Sequence, residues 1–164
     1  MHEPVGPAWL VWIELSGLGQ AMRTSMWLYP IVEIFHIVGF VCLVGAAVMF
    51  DLRVLGLGSS LPVTALGRHL LRWSWAGLAL VLPAGLMMLT AHATEFANNP
   101  AFQLKLALIA LAGANVAFFH LGPYRLVGAW DLTGPAPASA RAAALLSIAV
   151  WIGVIACGRL IAYF

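Results

Sequence analysis

Apolar residues run along this chain in four long blocks, and most of its polar residues gather at the block ends. Roughly 20 apolar residues cross a bilayer core, so each block is long enough for one crossing. The first, WLYPIVEIFHIVGFVCLVGAAVMF, runs from Trp27 to Phe50 and is closed by Asp51 and Arg53; Pro30 falls in a first helical turn, where its missing N–H is harmless. The second follows Ser59, Ser60 and Pro62 and occupies about 68–92, with Pro83 and Gly85 near its middle predicting a kink. Asn98-Asn99-Pro100 is a helix-start pattern that opens the third block, 101–121, and Gly122-Pro123 ends it. The fourth covers 141–163, after a loop containing the turn-rich stretch GPAPASA. Ahead of the first block, Trp9, Trp12, Ile13, Leu15, Leu18 and Met22 recur at near-helical spacing between Glu14, Ser16, Gln20 and Arg23. This predicts an amphipathic helix from Ala8 to Arg23 lying in the membrane interface, its tryptophans at headgroup level, although Gly17 and Gly19 weaken it.

The predicted organisation is an interfacial segment over 1–26 followed by a four-transmembrane-helix domain over 27–164. Short connections make consecutive helices antiparallel neighbours, so the predicted fold class is all-α, an integral membrane up-down-up-down four-helix bundle. Gly39, Gly45, Ala46, Gly113 and Ala117 are small residues of the kind that let membrane helices approach closely. Composition agrees: of 164 residues 63% are hydrophobic and 9% charged. A soluble domain carries about 25% charged residues, which excludes a soluble enzyme, a disordered tail and a nucleic-acid-binding module. The expected surrounding is the lipid bilayer. Eight Lys/Arg and six Asp/Glu are scattered singly, so no basic patch points to nucleic acid. Cys42 and Cys157 both fall in apolar runs and read as buried small hydrophobes. MHEPVGPAWLVWIEL has no basic n-region, so a cleaved signal peptide is not expected and the mature chain is expected to start at Met1. Arg53, Arg68, Arg72, Arg125 and Arg141 fall at one side of the predicted bundle, and Arg23, Lys105 and Arg159 at the other. The positive-inside bias then places both termini outside.

Ionisable groups below a bilayer surface are costly and invite a named partner. Glu33, Lys105 and Arg159 each fall within roughly 10 Å of the outer interface at 1.5 Å per residue, and His36 shares a helix face with Glu33. They form a candidate outer-leaflet cluster. One interpretation is charge compensation, Glu33 pairing with a cation to hold helices in register. The other is an anion-accepting or quinone-like pocket among Tyr29, Phe35 and Phe40. Glu33-x-x-His36 is half of a di-iron carboxylate pattern, but the chain lacks the further glutamates that such a site needs.

His36, His69, His92 and His120 suggest a second chemistry, since b-type haem iron is held by two imidazoles from different helices. An inner haem would use His69 and His120 near Arg68, Arg72 and Arg125; an outer one would use His36 and His92 near Lys105 and Arg159. His69 and His92 are about 34 Å apart along a straight helix, which permits two separate sites and disfavours a close pair. Joint ligation by His36 and His120 would demand strong tilt. Met88 and His92 lie one turn apart and Met22 and Met26 repeat at i, i+4, a soft thioether and imidazole set suited to Cu(I). Met87 and Met88 also suit simple packing. Asn115, mid-span in the third helix, suits an interhelical hydrogen bond. No phosphate loop, zinc spacing or nucleophile elbow is present, so no independent catalytic activity is expected.

The stretches WLYPIVEIFHIVG, FDLRVLG, NPAFQLKLALIALAGANVAFFH and the terminal GRLIAYF resemble a family of small, functionally uncharacterised four-helix bacterial inner-membrane proteins, over Trp27 to Phe164. The resemblance implies fold and bacterial origin and carries no activity. It directs attention to Glu33, His36, Lys105 and His120. The leading expectation is a redox-associated membrane protein, an anchor subunit or small cytochrome holding haem b or a quinone and working with another membrane or periplasmic redox protein. The alternatives are a cofactor-free structural or assembly protein and a copper-handling membrane protein.

Overall fold

A computed structural model describes residues 5–132 and 134–164, which are helical with no strand among them. The first four residues of the interfacial segment, including the expected start at Met1, lie outside the described residues. The long helices are α3 (Leu28–Val54), α4 (Val63–Ala91), α6 (Pro100–Leu121) and α7 (Ala138–Leu160). Three short ones, α1 (Ala8–Glu14), α2 (Gly17–Thr24) and α5 (Ala93–Asn98), gather at what we term the cap end. A 3-10 segment, Pro123–Ala129, lies at the opposite loop end. All four long helices have the length and hydropathy to cross a membrane, with mean hydropathy from 1.6 to 2.4, and only 17% to 28% of those apolar windows is buried within the chain. Ile34, Phe35, Val41, Leu82, Leu86, Val116, Phe118 and Ile152 all point their apolar surface outward. An apolar exterior of this extent is the reverse of a water-soluble arrangement.

The α3–α4 contact is the tightest in the fold. A Cβ added at Gly39 would stand 2.7 Å from Val81 N and 2.9 Å from Gly77 O, and one at Gly77 would stand 2.6 Å from both Gly39 O and Leu43 N. Each glycine therefore opens the space that the other helix's backbone occupies. Of the small residues singled out in the sequence, Gly39 has this role and Ala46 is buried, whereas Gly45 and Gly113 meet nothing within 4 Å. Helix α3 also packs on α7, and α7 on α6, giving the neighbour order α4, α3, α7, α6. Among the described residues the consecutive helices α4 and α6 share no extended backbone contact; they are joined through α5. The α6–α7 seam holds Ala112, Val150 and Val154, with Phe40 of α3 meeting Trp151 edge-on at 6.0 Å.

Helix boundaries follow from specific polar bonds. The first long helix runs to Val54 rather than stopping at Phe50, so Asp51 and Arg53 belong to the helix. Buried Arg53 donates to the carbonyls of Leu61 at 2.6 Å, Ser59 at 3.3 Å and Asp131 at 3.0 Å, stapling the α3–α4 turn to the distant loop. That turn passes through Gly56 and Gly58 at φ 108° and 68°, a left-handed conformation suited to glycine. The second long helix starts at Val63, and Asp131 caps it by accepting from Thr64 N and Thr64 Oγ1, both at 2.9 Å. As expected from Asn98-Asn99-Pro100, Asn99 Oδ1 caps α6 by accepting from Ala101 N at 3.0 Å and Phe102 N at 3.1 Å. Pro83 lies inside an unbroken α4.

The N-terminal segment differs from the single helix that its periodicity predicts. Ser16 breaks it and caps α2, accepting from Gly19 N at 3.2 Å. Gly19 gives the physical reason: a Cβ there would fall 2.5 Å from Glu14 O and 2.7 Å from Thr90 O, so the chain turns at that point to pack α2 on α4, whereas Gly17 has open space at its Cβ position. Trp9 and Trp12 remain exposed.

The Gly39–Gly77 contact predicts a contrast between two similar substitutions. Gly77→Ala should destabilise the fold by about 1–3 kcal/mol through overpacking, while Gly45→Ala, with open space at its Cβ, should stay within about 0.5 kcal/mol of the parent in denaturant titrations.

Candidate functional site

Gly85 lies two turns beyond Gly77 toward the cap end, and beside it sits the imidazole of His36. A Cβ at Gly85 would meet His36 Cε1 at 2.9 Å, so the absent side chain is what admits the ring. His36 Nδ1 is 3.0 Å from Val81 O. A carbonyl only accepts, so the hydrogen resides on Nδ1 and the ring's Nε2 is left with its lone pair. Lys105 and Glu33 both lie within electrostatic reach of this ring. Lys105 reaches from α6 toward α7, its Nζ 3.7 Å from where a Cβ of Gly158 would be, and it faces Cys157. Among the described residues neither Lys105 nor Glu33 makes an ion pair.

Of the predicted cluster, Glu33 and Lys105 thus lie within electrostatic reach of His36, without direct contact to it, and Arg159 is engaged elsewhere. Arg159 turns to its own helix end, donating from Nη2 to Tyr163 Oη at 2.9 Å with its guanidinium 5.0 Å from that ring. The charge-compensation interpretation expected Glu33 to pair with Lys105 or Arg159, and neither pair is formed.

The histidines are distributed rather than paired. His92 ends α4, its Nδ1 3.2 Å from Glu95 Oε2 and its ring beside Phe96. It lies seven residues beyond Gly85, hence about 10 Å from the level of His36 along α4. His120 donates from Nδ1 to Val116 O at 3.0 Å and contacts Tyr124, whose hydroxyl lies against Gly67. Gly67 and Gly85 are 18 residues apart, so His36 and His120 stand about 27 Å apart along α4. His69 lines an outward groove of about 320 Å³ with Arg72, Trp73 and Ala76. It is two residues from Gly67, nearly the opposite face of α4 from the one that meets Tyr124.

A further polar group surrounds Asn115, and the grouping of Asp51 with Ser147 there was not evident in the sequence. Asp51 of α3, Asn115 of α6 and Ser147 of α7 are each buried, and Ser147 lies within hydrogen-bonding reach of the Asp51 carboxyl. Asn115 donates to Ala143 O at 2.9 Å, one turn from Ser147, which bears out the interhelical bond expected of it. Asp51 Oδ2 has no hydrogen-bond partner. The signal for this group was a carboxylate followed by Leu52 and Val54, an apolar pattern that continues past Asp51. At the cap end, buried Glu14 Oε2 accepts from Thr94 N at 3.0 Å and Thr94 Oγ1 at 2.8 Å, and Arg23 lies 3.9 Å from Oε1 while donating to Ala91 O at 2.9 Å. No cluster of three or more His, Cys, Asp or Glu residues suited to a metal occurs among the described residues.

With the geometry in place, residues 9–164 match the model of a family of unknown function, DUF6644, and the chain belongs to that family. No curated protein and no solved structure matches it.

Glu14 yields a pH prediction. Burial pushes its carboxyl up, but the Thr94 hydrogen bonds, with Arg23 and His92 nearby, outweigh burial and leave it below the ordinary value of 4.5. The unfolded chain then binds the extra proton first, so the stabilisation from Glu14 is complete above the ordinary value and is lost as pH falls through the lowered one. Proteolytic protection of α1 should fall over that acidic window in the parent, and Glu14→Gln should show weaker protection at neutral pH with that dependence removed.

Proposed function

We propose that this protein is a multi-pass bacterial inner-membrane protein, an up-down-up-down bundle with both termini periplasmic. Within it, the locus of His36, Lys105 and Glu33 binds the head group of a quinol or quinone. The membrane assignment is supported by the apolar exterior of the four long helices. The orientation is supported by the basic residues near the loop end, where Arg68, Arg125 and Arg141 are exposed.

The observation that carries the ligand assignment is the His36 Nδ1 to Val81 O bond. It leaves Nε2 as an acceptor for a quinol hydroxyl, and the unpaired Lys105 supplies a donor and a positive charge for a quinone oxygen. Glu33, exposed nearer the helix start, offers an onward proton acceptor toward the periplasmic side. The chain acts as a binding and anchoring subunit, and the electrons pass to a separate membrane or periplasmic redox protein. Haem b is the less supported form of the redox assignment, because each candidate histidine pair stands apart. Arg159, engaged by Tyr163, has no part in the proposed locus.

The test is titration of nanodisc-embedded protein with a short-chain quinol and quinone. Saturable binding is expected, weakened about 10-fold or more by Lys105→Met and by His36→Phe, since bonds to charged or buried partners contribute about 1.5–3 kcal/mol. His36→Phe should weaken quinol more than quinone. Absence of saturable binding, or equal binding by parent and variants, contradicts the assignment.

A further inference from the structure

At the cap end a second group of residues converges, separate from the His36 locus. A groove of about 430 Å³ is lined by Met22, Met26 and His92, together with Arg23, Ser25, Tyr29 and Pro30. Behind it Met22 packs in one cluster with Met87 and Met88 of α4. Of the six methionines in the chain, four thus gather at one end beside an imidazole. Packing explains Met22, which is 1% exposed, but not Met26, which is 79% exposed on the rim of the groove.

We propose that this groove is a Cu(I) site, with the thioethers of Met22 and Met26 and the Nε2 of His92 as ligands. Glu95 Oε2 stands 3.2 Å from His92 Nδ1, the carboxylate–histidine arrangement that orients a metal-bound imidazole and leaves Nε2 for the metal. The lining offers soft sulfur and imidazole beside two neutral hydroxyls, Ser25 and Tyr29, with no thiolate or carboxylate, a donor set that favours Cu(I) over Zn(II), Mg(II) or Ca(II). The one cation in the lining, Arg23, is drawn away by Glu14 and by the Ala91 carbonyl. The site lies between α2 and the end of α4, so metal binding would clamp the N-terminal segment onto the bundle.

The test uses the full chain in mild detergent, in a Cys42→Ala/Cys157→Ala background that removes competing thiols, with Cu(I) titrated anaerobically against a chromogenic chelator. One Cu(I) per chain is expected. Met26→Leu and His92→Ala should each weaken binding by about 10-fold or more, and Glu95→Gln by about 10-fold. Met26 is exposed, so Met26→Leu leaves the packing intact and isolates the thioether; circular dichroism verifies the fold of each variant. Excess Zn(II) should not compete. Failure of the thiol-free chain to hold Cu(I) against the chelator overturns the proposal, as does unchanged affinity in the folded Met26→Leu and His92→Ala variants.

Discussion

Gly39 and Gly77 face each other across α3 and α4, and the close backbone approach that they permit sets the position of everything nearby. No side chain separates the helices there, so van der Waals contact is made by backbone atoms. His36, one turn from Gly39, is consequently carried onto α4 at the height of Val81 and Gly85. A wider helix separation would leave its Nδ1 without the Val81 carbonyl. The same helix meets α7 through Phe40, so α3 links the α4 side of the molecule to the α6–α7 pair.

Polar groups divide into those that close the ends of the structure and those left available for chemistry. Arg53, Asp131 and Thr64 bind loop carbonyls and helix-start N–H groups at the loop end. Asn99 does the same at the cap end, also donating to Ile161 O at 2.9 Å, which ties the start of α6 to the end of α7. Glu14 holds α1 to α5 through Thr94. After these groups are assigned, Lys105, Glu33 and the Nε2 of His36 are left without direct protein partners among the described residues on the cap side of the long helices, while Asp51 Oδ2 and Trp130 Nε1 are buried without one toward the loop end. In a bundle with so few charges, unpaired polar groups near one another are the natural places for a ligand.

Much of the architecture is legible in the sequence because hydropathy and length alone decide it. The four long helices and the Asn99 cap follow directly from apolar runs and a capping pattern. The ends of α3 and α4 are less legible, since Arg53 and Asp131 act over 78 residues of separation and only folding brings them together. The same limit hid the break at Ser16, which depends on α4 backbone lying against Gly19. At the site, periodicity placed Glu33 and His36 on one face and depth placed Lys105 at their level. Depth says nothing of azimuth, and so it could not foresee that Arg159 turns to Tyr163 or that His69 faces away from His120. Gly77 escaped notice, and Gly85 signalled only part of a kink, because a glycine inside an apolar run looks the same whether it faces outward or a neighbouring helix.

The central claim is that the α3–α4 seam holds His36 in one tautomer with Nε2 presented as an acceptor within electrostatic reach of Lys105. Nitrogen-15 NMR of histidine-labelled protein in lipid, assigned with His36→Gln, measures this directly. At a pH where the imidazole is neutral, the account predicts a protonated Nδ1 and an unprotonated Nε2 at His36. A hydrogen on Nε2, or rapid exchange between the two tautomers, contradicts it.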